Sequence, residues 1–138
     1  MKILVDSCVW SLSLRCKNKT ALSDDEKQMV VSLTDAIQSG RVAIVGPIRQ
    51  EVLSGIKETA QFEKLRGELE AFPDEPITTQ HYEEAARLFN LCRNRGVECG
   101  AIDILVCAVA TRKRWSILTN DGGLKRCIEV LRTEGVIR

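Results

Sequence analysis

Four acidic residues, Asp6, Glu51, Asp103 and Asp121, stand beside apolar segments rather than inside charged runs. Asp6 directly follows Ile3-Leu4-Val5. Glu51 lies shortly after Arg41-Val-Ala-Ile-Val45, Asp103 opens an apolar stretch running to Ala110, and Asp121 follows Trp115-Ser-Ile-Leu-Thr119. An ionised carboxylate taken out of water is costly unless something pairs with it. Singly, each acid has an ordinary role: Asp6 and Asp121 as turn residues at strand exits, Asp103 as an N-cap accepting the Val106 amide, and Glu51 as a solvent-facing helix residue. Together they suit a different chemistry, because clustered carboxylates repel one another and a divalent cation relieves the repulsion. Carboxylates and hydroxyls without a His and Cys set favour magnesium or manganese over zinc. The chain offers no Ser-His-Asp arrangement and no glycine-rich phosphate loop, so metal-assisted attack by water fits best. The sole histidine, His81, is expected to be an exposed helix residue rather than a general base.

These acids meet only if the chain between them alternates strand and helix. Lys2 to Val5 is too short for a helix and reads as a buried strand. Ser23-Asp-Asp-Glu26 is a capping-box pattern, followed by Met29, Val30, Leu33 and Ile37 at helical spacing until Gly40. Residues 41–45 read as a second strand, with Pro47 in the first turn of a helix that runs past Glu51 to Gly55. Phe62, Leu65, Leu69 and Phe72 mark another amphipathic helix. After the loop from Pro73 to Pro76, Ile77-Thr78 reads as a short strand, and Tyr82, Ala85, Ala86, Phe89 and Cys92 share one face of a helix over about 79–94. A buried helix from Asp103 to about Arg112, a strand over 115–119 and a helix over 124–131 complete the pattern. The alternation implies a single three-layer α/β domain over residues 1–138, its central parallel sheet covered by helices on both faces. In such a sheet the functional crevice lies beyond the carboxyl ends of the strands, where all four acids fall.

The totals bound the alternatives. A chain of 138 residues with 44% apolar composition can bury one core without staples. Twenty Lys and Arg against nineteen Asp and Glu leave no broad field for a polyanion, so nucleic-acid binding needs a local patch. Arg112-Lys-Arg114 or Arg15, Lys17 and Lys19 could supply one, although the first set equally suits a basic helix end complementing the dipole. The six cysteines form no C-x-x-C pair and are expected to be reduced thiols packed as small hydrophobes. Trp10 is expected to pack. No signal segment or membrane span is evident, which predicts a soluble cytoplasmic protein.

The stretches VDSCVWSL near the start, RQEVLSG at 49–55, GAIDILVCAVA at 100–110 and ILTNDGGL at 117–124 resemble, in order and spacing, the four acidic motifs of the PIN domain. The likeness is greatest to VapC-type toxins of bacterial toxin–antitoxin pairs. It implies a PIN-like fold and a metal-dependent endoribonuclease in which Asp6, Glu51, Asp103 and Asp121 hold one or two magnesium or manganese ions. It makes Ser7 the hydroxyl that assists the first Asp. It further implies an RNA substrate, products with a 5′-phosphate and a 3′-hydroxyl, a homodimer and a small antitoxin partner. Three positions depart from the pattern: Cys8 stands where Ser, Thr or Asn is common, Gly123 where many relatives carry a further acid, and Leu124 where Phe is usual. The rival readings are a housekeeping PIN nuclease in RNA processing and a catalytically silent binding module. A receiver domain would need a second acid after the first strand and a Lys after the last, and a haloacid-dehalogenase-like phosphatase would need D-x-D where the third residue is Cys8.

Overall fold

The computed structural model describes residues 1–14 and 21–137, so Arg15, Cys16, Lys17 and Lys19 lie outside the described residues. In chain order the elements are β1 (Ile3–Val5), α1 (Ser7–Leu14), α2 (Asp24–Gln38), β2 (Val42–Ala43), α3 (Gly46–Leu53), α4 (Thr59–Leu69), α5 (Thr79–Asn94), α6 (Ala101–Lys113), β3 (Ser116–Leu118) and α7 (Gly122–Thr133). The strands form one parallel sheet ordered β2-β1-β3, with Leu4 of the central strand opposite Ala43 on one side and Ile117 on the other. This is the α/β arrangement expected, but the sheet is narrower than the apolar runs suggested. Ile44 leaves the ladder to form a lone bridge with Asp74. Ile77-Thr78 is not a strand: Thr78 instead caps α5, its amide donating to His81 Nδ1 at 2.9 Å.

The helix α1 had no periodic signal in the sequence. It forms because the Asp6 carbonyl accepts the Val9 and Trp10 amides, while Val9 and Trp10 bury completely. Trp10 packs as expected, its ring centroid 5.1 Å from that of Phe72, which lies beyond the end of α4. The predicted capping box of α2 is present, with Ser23 and Glu26 exchanging hydrogen bonds. In α3, Arg49 reaches the carbonyls of Leu69 and Phe72 and pairs with Asp74 at 2.9 Å. That clamp fixes the helix carrying Glu51 against the loop that follows α4.

Two apolar clusters fill the interior. One gathers β1, β2, α1, α2 and α3; the other gathers α5 and α7; and α6 contributes to both, which is why every side chain from Ile104 to Ala110 is buried. A helix buried on all faces is apolar on all faces. On α5, Tyr82 turns outward at 56% exposure and His81 turns inward at 5%, the reverse of the sequence reading. His81 is drawn in because its unprotonated Nδ1 accepts the Thr78 amide, and burial followed by the Arg112 and Lys113 charges lowers its pKa. The thiol expectation also fails in part. Cys99 and Cys127 form a disulfide, tying the segment just ahead of the α6 cap to α7, whereas Cys8, Cys92 and Cys107 are free. Their separation of 28 residues hid the pairing, which only the packing of α6 against α7 creates. Among the described residues no helix is long and apolar enough to cross a membrane.

Candidate active site

All three strands run in one direction, so their carboxyl ends share an edge, and the residues that follow them meet there. Asp6 ends β1 and precedes α1; Thr119, Asn120 and Asp121 link β3 to α7. The helix α6 leads into β3 and runs back across the sheet, so its amino end, with Asp103, reaches the same edge. Glu51 approaches from α3, the helix that follows β2.

Asp6 is the best-held acid. It is 4% exposed, and its carboxylate accepts the Ser7 amide at 2.9 Å, the Thr119 hydroxyl at 2.8 Å and the Cys8 thiol at 3.4 Å. Ser7 therefore meets Asp6 through its backbone, not its hydroxyl. Cys8 keeps a hydrogen bond to the first motif despite lacking the usual oxygen, and its sulfur also accepts the Asn120 amide at 3.4 Å. Burial, ahead of its polar neighbours, pushes the Cys8 thiol up, keeping it a neutral donor.

Thr119 is the residue sequence reasoning passed over. Its buried hydroxyl donates to Asp6 Oδ2 and accepts the Asp121 amide at 3.0 Å, so one side chain sets the spacing of two acids. The signal available was a hydroxyl at the end of an otherwise apolar strand, two residues before an acid. Asp121 is the N-cap of α7, its Oδ2 accepting the Leu124 amide at 2.8 Å. Its turn role and a place among the acids coexist, because each carboxylate oxygen has two lone pairs.

Asp103 is not the N-cap of α6. Gly100 is, and Asp103 occupies the third helical position, free of any capping bond to Val106. Its half-buried carboxyl is pushed up to about 6, first by burial and then by the negative fields of Asp6, Asp121 and Glu51. The other three proposed site acids thus all act on the fourth. Glu51 is exposed, as its ordinary reading held, yet it lies near enough to contribute to that field. A Cβ on Gly123 would fall 3.2 Å from Asp121 Oδ2 and 3.9 Å from Asp103 Oδ2, so the missing side chain leaves room between these two acids.

Among the described residues no three acidic, His or Cys side chains stand close enough to enclose one ion. That does not conflict with magnesium, which keeps several waters and takes only one or two carboxylates directly. The oxygen-only donor set and the mutual repulsion at Asp103 fit a hard divalent cation. The basic cluster Arg112 to Arg114 sits at the other end of α6, about 15 Å from Asp103 at 1.5 Å per residue. There Lys113 pairs with Glu75 and Arg112 bonds Gln80, while Lys2 and Lys113 lie over Trp115. The helix-end reading suits this cluster better than contact with a substrate at the acids.

Comparison with known proteins agrees with this architecture. The crystal structure of FitAcB from Neisseria gonorrhoeae superposes with a TM-score of 0.71 at 20% identity, covering 92% of this chain and 93% of that one. The sequence has no match among curated proteins. The PIN domain family profile matches residues 3–129, which takes in all four acids and the whole sheet. The chain belongs to the PIN domain family.

Proposed function

We propose that this protein is a divalent-cation-dependent endoribonuclease, the toxin of a toxin–antitoxin pair, in which Asp6, Glu51, Asp103 and Asp121 hold magnesium or manganese. PIN domains are generally nucleases and generally work with divalent ions. The observation that carries the assignment is the convergence of acids from four separate parts of the chain at one edge of the sheet, where burial first, and then the fields of Asp6, Asp121 and Glu51, raise the Asp103 carboxyl. Carboxylates held so close without a cation are a standing electrostatic cost, and function is the usual reason such a cost persists.

When bound, the cation would supply a Lewis acid that withdraws charge from a phosphodiester and eases loss of a proton from water. The protein's own part is positioning. Thr119 and the Ser7 amide lock the Asp6 carboxylate, and the α7 cap holds Asp121 with a lone pair to spare. The apolar α6 gives Asp103 a rigid base. Hydrolysis adds the water oxygen to phosphorus, breaks the bond to the 3′ oxygen and returns a proton to that oxygen. The products are a 5′-phosphate and a 3′-hydroxyl. Ser7 holds the Asp6 carboxylate through its amide, which leaves its hydroxyl to orient a water in the proposed reaction. The reading extends to one cytoplasmic nuclease domain over residues 1–138, to a homodimer and to a small antitoxin partner.

Incubation of wild type, Asp6→Asn and Asp103→Asn with a panel of RNAs in magnesium tests the reading. Cleavage by wild type alone, abolished by a chelator, is expected. Equal cleavage by all three proteins would contradict the metal site, and no cleavage by any would favour a silent binding module. A neighbouring gene for a small DNA-binding protein, and growth arrest on expression, separate a toxin from a housekeeping nuclease.

A further inference from the structure

We propose that Arg126 grips a backbone phosphate of the RNA beside the carboxylate cluster, an inference that rests on the RNA substrate proposed above. Helical side chains lean toward the amino end of their helix, and Arg126 leans back over the first turn of α7. Its Nη1 lies 3.7 Å from where a Cβ on Gly122 would sit, and its Nη2 lies 3.9 Å from the same position on Gly123. That Gly123 position is also 3.2 Å from Asp121 Oδ2 and 3.9 Å from Asp103 Oδ2. One small volume, open only because residue 123 has no side chain, is bordered by two carboxylate oxygens and a guanidinium.

Arg126 is nevertheless exposed, and among the described residues no carboxylate stands within ion-pair distance of it. Its charge is uncommitted. Two carboxylates that draw a cation and an arginine that repels one share this volume comfortably when an anion joins them. A phosphodiester does so, because the planar guanidinium fork matches its non-bridging oxygens. Of the two basic clusters read from the sequence, Arg112 to Arg114 lies at the far end of α6 and Arg15, Lys17 and Lys19 lie outside the described residues, and the near-neutral chain has no broad positive field. Among the described residues, registration of the backbone falls to isolated cations at the rim of the site.

Fluorescence anisotropy of a labelled single-stranded RNA tests this in an Asp103→Asn background, which leaves the RNA uncut, across a series of salt concentrations. Adding Arg126→Ala is expected to weaken binding about tenfold and to flatten the slope of log affinity against log salt by about 0.7. Arg126→Lys should restore the slope, and Arg132→Ala, an exposed arginine of the same helix paired with Glu129, should leave both unchanged. In otherwise wild-type protein Arg126→Ala should raise KM more than it lowers kcat. Affinity and slope unchanged by Arg126→Ala would overturn the inference, as would Arg126→Lys matching Ala in slope. RNA cut normally by a protein indifferent to Arg126 overturns this inference alone. Arg126-dependent binding by a wild type that cuts nothing overturns only the nuclease reading.

Discussion

Replacing Asp103 with Asn should make the metal-free protein more stable at neutral pH, an unusual outcome for a polar residue at a helix start. The Asp103 carboxyl has moved from 3.8 to about 6. Because the folded value lies above the unfolded one, the folded state binds the proton more tightly. Its contribution is favourable below about pH 4 and is lost as pH rises through about 6. Two units correspond to about 3 kcal/mol, which solvent screening of a half-exposed group reduces to about 1–2 kcal/mol. An acid in the first turn normally gains about 0.3–1 kcal/mol from the helix dipole, and here burial, followed by the like charges, outweighs that gain. Urea unfolding in a chelator should therefore show Asp103→Asn about 1–2 kcal/mol more stable than wild type at pH 8, with the difference vanishing at pH 4. Added magnesium should then stabilise wild type in proportion to its binding and leave Asp103→Asn nearly unmoved. A variant less stable than wild type at pH 8, or a difference that does not change with pH, would refute the penalty on the Asp103 charge from burial and the neighbouring acids.

Thr119→Val keeps the shape of the side chain but leaves Asp6 Oδ2 with only the weak Cys8 thiol donor and the Asp121 amide without its acceptor, so it should cost about 1–3 kcal/mol in chemical denaturation and reduce RNA cleavage more than a mere stability loss explains. The disulfide predicts that thiol labelling of native unreduced protein spares Cys99 and Cys127, read by peptide mass. Reduction or the double Cys→Ser variant should lower stability by up to about 3–4 kcal/mol, from the closure of a 28-residue separation.

Much of this architecture was legible because strong local patterns and the final packing agree. The capping box at Ser23, the wholly apolar 104–110 and the strand-to-Asp junction at Asp6 each express one physical demand, and each appears as read. What was illegible depends on partners distant in sequence. The helix α1 is stabilised by burial of Trp10 against Phe72; the inward turn of His81 is local but was hidden because a histidine takes the capping-box place, accepting the Thr78 amide three residues earlier. The Cys99–Cys127 pair requires α6 and α7 to be side by side. For the candidate site, Asp6 and Asp121 stood out as carboxylates next to apolar strand ends, and Asp103 as the lone acid of an apolar helix. Thr119 could not, because a threonine in a strand is ordinary until its hydroxyl is seen between two acids. The place of Asp103 at the third residue of α6, in its first turn, likewise follows from Gly100 taking the cap.

Four acids separated in sequence are proposed to form one divalent-cation site. Titration of the metal-free protein with manganese, with free ion followed by electron paramagnetic resonance, addresses it without needing an RNA. Wild type is expected to take up manganese, magnesium to compete for it, and Asp6→Asn, Glu51→Gln, Asp103→Asn and Asp121→Asn each to weaken uptake, while the exposed Asp35→Asn leaves it intact. Uptake that is absent in wild type, or equal in all six proteins, would contradict that proposal.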